Sequence, residues 1–288
     1  MERLAFVGTG TIGNPMARCL LRAGFKVTVF DARKEAMENL AAAGAKAAES
    51  VAGCTGNDAI LIAVANDEQV EDVIAGPQGI LDNLKGEMRP IIAVLSTVSP
   101  DTIRRMGDQC QSRGVQIIDS PVSGTHVAAE SGNLTAMVGG STDTIEVMRP
   151  VLSTVARKIY HVGVLGSGET VKLTNNMIGI INTFLTVEAL ALGIRNGVPV
   201  ETLLPIIDAS SGSNFFIRNW EMAKVFLLDF SKDLNAAQRN LSLCLKDLQH
   251  AQELGYPNFQ TPVLSNAIKA LEEMKPGTIV ERWQQLLK

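Results

Sequence analysis

The segment Gly168-Glu-Thr-Val-Lys172-Leu-Thr-Asn175-Asn176 sets one lysine among amides at helical spacing. On a helix, Lys172, Asn175 and Asn176 share one face. Gly179 continues that face with no side chain, which leaves room for something to lie against it. An amine can take or give a proton, and neighbouring amides can orient the group it acts on. The opposing reading is a surface lysine beside capping asparagines. A second segment, Asp119-Ser-Pro-Val-Ser-Gly124, follows an apolar run that reads as a strand. Ser123 and the N–H groups around Gly124 can receive a carboxylate, although alone the segment is an ordinary polar turn. A third, Lys246-Asp247 with His250, lies among Leu243, Leu245 and Leu248 on a predicted helix. By itself it is a surface ion pair, which usually means little.

Near the N-terminus, Gly8-Thr-Gly10-Thr11-Ile12-Gly13 directly follows an apolar run and opens a helical pattern. This is the dinucleotide-binding arrangement. Gly8 allows the tight turn, Gly10 lets a pyrophosphate approach the backbone, and Gly13 lets the helix pack close. Unpaired N–H groups and the positive end of the helix dipole then face the phosphates. Asp31, at the end of the second strand, stands where a carboxylate accepts the ribose hydroxyls. That carboxylate repels a 2′-phosphate, so the expected cofactor is NAD. Arg33 and Lys34 follow closely, and they either hold a 2′-phosphate, admitting NADP, or form a solvated first turn of the next helix.

The elements that must position these residues read as follows. Strands are expected at Arg3–Val7, Lys26–Phe30, Ala59–Val64, Ile91–Leu95, Val115–Asp119, Thr135–Val138 and Lys158–His161. Helices near 12–23, 34–43, 68–74, 100–112 and 143–155 alternate with them. Such alternation means βαβ units and a mostly parallel, doubly wound sheet. Beyond Gly168 the pattern is helical: 169–196, 200–209, 217–225, 234–254 and 262–274. The expected fold is α/β, a Rossmann-type domain (1–164) joined by a long helix to an all-α domain (165–288) that closes on substrate and forms oligomers.

Composition narrows the function classes. The chain is 46% hydrophobic and 19% charged, an ordinary globular balance. Its net charge is −4 and it has no run of five like charges, which argues against nucleic acid and membrane-surface partners. The apolar stretch 177–194 carries Asn182, Thr183, Thr186 and Glu188, so it reads as a buried helix rather than a membrane span. Cys19, Cys54, Cys110 and Cys244 show no CxxC spacing, so neither a metal site nor a disulfide framework is expected. With no basic and apolar leader at the start, the expected location is cytoplasmic.

Six segments in order resemble the β-hydroxyacid dehydrogenase family, which includes 3-hydroxyisobutyrate dehydrogenase and tartronate semialdehyde reductase. They are FVGTGTIGNPMA at 6–17, LSTVSP at 95–100, DSPVSG at 119–124, GNLTAMVGG at 132–140, GSGETVKLTNN at 166–176 and LKDLQHA at 245–251. The resemblance implies hydride transfer between a nicotinamide and a short β-hydroxyacid or its semialdehyde. It implies Lys172 as general acid/base, with Asn176 orienting it and the substrate. Ser123 and Gly124 would bind the substrate carboxylate, with Thr125, Asn175 and Lys246 beside it. Thr97 would contact the nicotinamide ribose, Asn66 would lie on the cofactor loop, and Lys246 and Asp247 would sit near the cofactor. Family members assemble as dimers or tetramers through the helical domain.

The sequence also departs from the family pattern. Thr125-His126 follows Gly124 where a further small residue is usual, and Ala63-Val-Ala-Asn66-Asp67 lacks the usual proline. His126 either reaches the far end of a substrate or starts the next helix. The run Ser210–Phe216 either covers a site or caps a helix. Imine reductases share the architecture but usually lack the lysine. Decarboxylating phosphogluconate dehydrogenases have a longer helical domain. A non-catalytic nucleotide-binding scaffold would not need Lys172, Asn176 and Ser123 together.

Overall fold

Short, almost wholly apolar runs build the centre of the first unit, because only a strand covered on both faces can bury every side chain of such a run. The computed structural model describes residues 1–255 and 257–286. Its strands are β1 (Arg3–Val7), β2 (Lys26–Phe30), β3 (Lys46–Ala47), β4 (Ala59–Ile62), β5 (Ile91–Val94), β6 (Ile117–Asp119), β7 (Val122–Ser123), β8 (Leu134–Gly139) and β9 (Ala156–Gly163). They form one sheet in the order β3-β2-β1-β4-β5-β6-β8-β7, with β9 paired to β8. All pairs are parallel except those of β8 with β6 and with β7.

Helices α1 (Gly13–Arg22), α2 (Glu35–Ala42), α3 (Asp67–Ala75), α4 (Pro100–Ser112), α5 (His126–Glu130) and α6 (Thr142–Val155) connect the strands. Alternation along β1 divides the core. Leu4 and Phe6 pack with Met16, Leu20 and Leu152 on one face. Ala5 and Val7 pack with Val70, Ile74 and Ile103 on the other. The register matters most for function. Val7 pairs with Phe30 and Ile62, Ile62 with Val94, and Val94 with Asp119. The carboxyl ends of β1, β2, β4, β5 and β6 are therefore level, and ligands of open α/β sheets bind at that edge.

The chain divides into two compact units, Met1–Lys172 and Leu173–Lys288. The first turn of α7 (Ser167–Arg195) is hydrogen-bonded to β6 through Asp119, within the first unit. The second unit comprises the rest of α7 with α8 (Val200–Asp208), α9 (Phe215–Arg218), α10 (Trp220–Phe230), α11 (Leu234–Glu253), α12 (Pro262–Glu272) and α13 (Pro276–Leu286). Among the described residues it contains no strand. Leu173, Phe184, Leu190, Leu241, Leu248 and Trp283 lie in its core.

Several expectations are corrected. Strands β3 and β7 and helices α5 and α13 are additional elements, and the first three are too short to show a period. The single helix expected at 217–225 is two, α9 and α10, broken at Asn219. Asn214 starts α9 by accepting the N–H groups of Phe216 and Ile217. The stretch 177–194 is not uniformly buried. Ile178, Leu185 and Leu192 are 58%, 59% and 63% exposed. By length and composition alone α7 would suffice to cross a membrane, with a mean hydropathy of 1.8 over its most apolar window.

Asp58, just before β4, pins the start of β1. It accepts the N–H groups of Glu2 and Arg3 at 2.8 and 3.0 Å, and Arg3 Nη2 donates at 3.0 Å. Burial is the largest single influence and pushes its carboxyl up, but these donors together outweigh burial and hold it at about 2, against an ordinary 3.8. A depressed carboxylate contributes stability above its unfolded pKa and loses it as pH falls through the folded one. The pair is partly solvated, so about 1 kcal/mol is the expected scale. Asp58→Ala should lower the melting temperature at pH 7 by about 2–4 °C. The gap from the unsubstituted protein should close between pH 3.8 and about 2 in a pH series of thermal melts.

Candidate active site

The turn between β1 and α1 is built around space. Gly8 has φ +91°, and a Cβ there would lie 2.2 Å from the Ala63 carbonyl oxygen. A Cβ on Gly13 would lie 2.0 Å from the Gly8 carbonyl oxygen. The chain itself therefore requires glycine at both positions. Gly10 differs: a Cβ there would meet only Arg33 Nη2, at 3.7 Å. Its missing side chain leaves open space at the N-terminus of α1. Ile12 supplies no side-chain cap, and no acidic residue occupies the first turn. Those N–H groups and the helix dipole suit an anion. Thr11 is exposed, while Ile12 packs against the sheet.

Asp31 follows β2 at the same edge. Its carboxylate accepts the Thr9 N–H at 2.8 Å and the Arg33 N–H at 2.9 Å, and Arg33 Nε lies 3.4 Å away. Burial pushes the carboxyl up, but these donors outweigh it and hold the group below the ordinary range. Asp31 is thus an anion at the end of β2, with the Arg33 guanidinium close to the glycine turn. An open cradle, a free helix N-terminus and a fixed anion together fit a dinucleotide.

The next two loops are cross-tied. Asn66 caps α3 by accepting the Gln69 N–H at 3.0 Å, and Gln69 Oε1 accepts the Ala65 N–H at 2.9 Å. Ser96 Oγ accepts the Val64 N–H at 2.8 Å, and Ser99 donates its N–H to Asp67 at 2.8 Å. Thr97 lies half-buried between these anchors.

After β6 the chain presents Ser123 in β7, half-buried, and then Gly124 with φ +148°. A Cβ on Gly124 would approach Leu134 Cδ2 to 2.6 Å. Thr125 Oγ1 accepts the Ala128 N–H at 3.3 Å, so it caps α5 and keeps its own proton and one lone pair to offer elsewhere. His126 starts α5 and is 3.7 Å from Glu130.

Asp119 and Glu169 were outside the expected site. Asp119 is fully buried, and its two oxygens accept the N–H groups of Gly166 and Glu169 at 2.8 and 2.9 Å. It caps α7 from across the fold. Burial pushes its carboxyl above the ordinary range, against the pull of those N–H groups. Glycines make the space: a Cβ on Gly168 would lie 2.7 Å from Asp119 Oδ2 and 2.3 Å from the Met137 carbonyl oxygen. Glu169 is also fully buried, and Lys172, one turn on, is 9% exposed. A sequence signal for both acids exists in retrospect: an aspartate ending an apolar strand, and a glutamate in the first turn of a helix.

In the helical unit, Asn176 Nδ2 donates to Asp247 Oδ2 at 2.7 Å, and Lys246 Nζ lies 3.0 Å from Asp247 Oδ1. Asn175 is exposed and donates to Asn176 Oδ1 at 3.2 Å. The structure thus joins Asn175, Asn176, Asp247 and Lys246 in one chain of contacts. His250 pairs with Glu253 at 3.0 Å on the same helix. Burial and the Asp247 carboxylate push the Cys244 thiol up to about 12.

Comparison with known proteins gives the family. Residues 3–163 match the model for the NAD-binding domain of 6-phosphogluconate dehydrogenase. Residues 166–279 match that for the NAD-binding of NADP-dependent 3-hydroxyisobutyrate dehydrogenase. A 3-hydroxyisobutyrate dehydrogenase from Pseudomonas aeruginosa is 36% identical, over 75% of this chain and 72% of the relative. The chain belongs to the β-hydroxyacid dehydrogenase family. A 2-(hydroxymethyl)glutarate dehydrogenase from Eubacterium barkeri is 37% identical over 82% of this chain and 81% of its own. The crystal structure of a 3-hydroxyisobutyrate dehydrogenase from Salmonella typhimurium superposes with a TM-score of 0.81 at 26% identity, covering 98% of this chain and 99% of that one. An imine reductase from Myxococcus stipitatus, at 20% identity and TM-score 0.64, shares the fold over 100% of both chains. The protein is accordingly an NAD(P)-dependent dehydrogenase of the hydroxyacid type, acting on a CH–OH group.

The space at Gly10 separates folding from ligand binding. Gly10→Ala should leave the melting temperature unchanged, since the new methyl meets nothing closer than 3.7 Å. NAD(P)H affinity, followed by nicotinamide fluorescence, should fall at least about tenfold, equivalent to about 1.4 kcal/mol.

Proposed function

We propose that the enzyme interconverts a short-chain β-hydroxyacid and its semialdehyde, prefers NAD to NADP, and uses Lys172 as general acid/base. The observation that carries this reading is the burial of Lys172, 9% exposed, on the helix that Asp119 anchors at the carboxyl edge of the sheet. Lysine is rarely so buried, and here it stands one turn after the buried Glu169, at the edge of the sheet where ligands of open α/β folds bind.

When bound, NAD+ would supply a hydride acceptor in oxidation and NADH a hydride donor in reduction. Lys172 removes the substrate hydroxyl proton in oxidation and returns it to the carbonyl oxygen in reduction. Asn176 orients the reacting oxygen. Ser123 and the Gly124 backbone hold the substrate carboxylate, with Thr125, Asn175 and Lys246 lining the rest. Gly8, Gly10, Thr11, Ile12 and Gly13 hold the pyrophosphate, Asp31 and Asn66 serve the adenosine side, and Thr97, Lys246 and Asp247 serve the nicotinamide side. Relatives named for 3-hydroxyisobutyrate, 2-(hydroxymethyl)glutarate and L-serine support a carboxylate two carbons from the reacting hydroxyl as the shared feature.

The preference for NAD rests on Asp31, whose charge would oppose a 2′-phosphate. The exposed apolar positions Ile178, Leu185 and Leu192, seven residues apart on α7, support a homodimer or homotetramer formed through the helical unit. Four free thiols, three of them buried, suit a reducing compartment such as the cytoplasm.

Lys172→Ala should lower kcat by about 10²–10⁴-fold while leaving NAD+ affinity within about threefold. The assay is absorbance of the reduced cofactor over a panel of β-hydroxyacids, and turnover close to that of the unsubstituted enzyme would refute the assignment. Asp31→Ala removes the repelling charge and frees Arg33. The ratio of kcat/KM for NADP+ over NAD+ should then rise at least about tenfold.

A further inference from the structure

Glu169 is fully buried, and neither the cofactor cradle nor the proton-transfer step accounts for it. Its Oε2 accepts the N–H of Val98 at 3.2 Å. Val98 lies between β5 and α4, next to Thr97. That loop is anchored at three points. Ser96 Oγ takes the Val64 N–H at 2.8 Å, and Ser99 gives its N–H to Asp67 at 2.8 Å. Both tie the loop to the neighbouring β4–α3 connection. The third anchor, Val98 to Glu169, runs instead to the helix that bears Lys172.

Glu169 and Lys172 stand at i and i+3, so they share a face of α7. Asp119 fixes the other end of the same residue by accepting the Glu169 N–H at 2.9 Å. Glu169 is therefore held by its backbone to β6 and by its side chain to the loop after β5. A carboxylate without water is costly to keep unless hydrogen bonds compensate it. Its retention at this junction implies a task beyond packing.

We propose that Glu169 is a positioning residue for the redox reaction. It locks the Thr97–Val98 peptide against the turn that presents Lys172. It thereby sets the spacing between the nicotinamide side of the site and the proton-transferring amine. The proposal rests on the roles given to Thr97 and Lys172 above. Misplacement of reacting groups by about 1 Å can cost about 100-fold in rate, so one buried hydrogen bond at this junction has leverage on kcat.

The test compares Glu169→Ala, Glu169→Gln and Lys172→Ala in the full-length enzyme, with NAD+ and the β-hydroxyacid that the unsubstituted enzyme turns over fastest. Glu169→Ala should lose about 10–100-fold in kcat with the KM for NAD+ within about threefold. Glu169→Gln keeps an oxygen for the Val98 N–H and should recover kcat to within about fivefold of the unsubstituted enzyme. If Glu169→Ala does not fold, Glu169→Asp replaces it. Its carboxylate stops one methylene short of Val98 and should show the same selective loss of kcat. Unchanged kcat in Glu169→Ala or Glu169→Asp, with Lys172→Ala inactive, overturns the role of Glu169 and leaves that of Lys172 standing. Failure of Glu169→Gln to recover overturns the hydrogen bond as the means. Full activity in Lys172→Ala removes the underlying reading and this proposal with it.

Discussion

A single buried carboxylate, Asp119, determines where the helix bearing Lys172 begins. It ends β6 level with Val94, the last residue of β5. Both of its oxygens are spent on the N–H groups that open α7, at Gly166 and Glu169. An uncapped helix start in this dry setting would leave donors unsatisfied, at about 1–3 kcal/mol each. The carboxylate and the helix dipole also attract each other. The cost appears in the raised carboxyl pKa, since burial outweighs the N–H groups. The structure accepts that cost, and the helix that carries Lys172 starts at the ligand-binding edge of the sheet.

Much of the first unit was legible because its strands have one explanation. Runs such as Ala59–Ile62 and Ile91–Val94 are too short and too apolar for surface helices. Their boundaries are marked by Gly8, Asp31 and Ser99-Pro100, each a turn or cap residue. Where this logic stopped, local signal was absent. Strands β3 and β7 have two residues each, set by pairing with β2 and β8 rather than by any period. The break between α9 and α10 falls at Asn219, inside the helical pattern expected at 217–225, which runs through that position unmarked.

The candidate site was legible by residue type and less so by partner. Lys172 stood out as a cation in an apolar helix, and Asp31 by its place after β2. Contacts made across the fold could not be read in the same way. Asp119 and Glu169 act on backbone N–H groups 47 and 71 residues away. Asp247 read as the partner of Lys246, and the structure adds Asn176, also 71 residues away, to its contacts. Thr125 read as a pocket hydroxyl, yet its oxygen caps α5. Asn66, placed on the cofactor loop, likewise caps α3. A short polar side chain beside a helix start serves the backbone first, because the N–H groups there have no other partner.

Helix α7 shows why apolar content alone misleads. Its 29 residues look like a core helix or a membrane span by composition. In the structure they answer separate demands. The first turn is tied to β6, and Leu173, Phe184 and Leu190 fill the helical core. Ile178, Leu185 and Leu192 remain exposed. A helix with several apolar obligations has no single amphipathic stripe, so periodicity cannot report its burial. The polar residues at its start carry the information instead. Glu169, Lys172 and Asn176 recur every three or four residues where a purely structural helix would place leucine. Each interrupts the apolar pattern at a desolvation cost that packing alone does not explain.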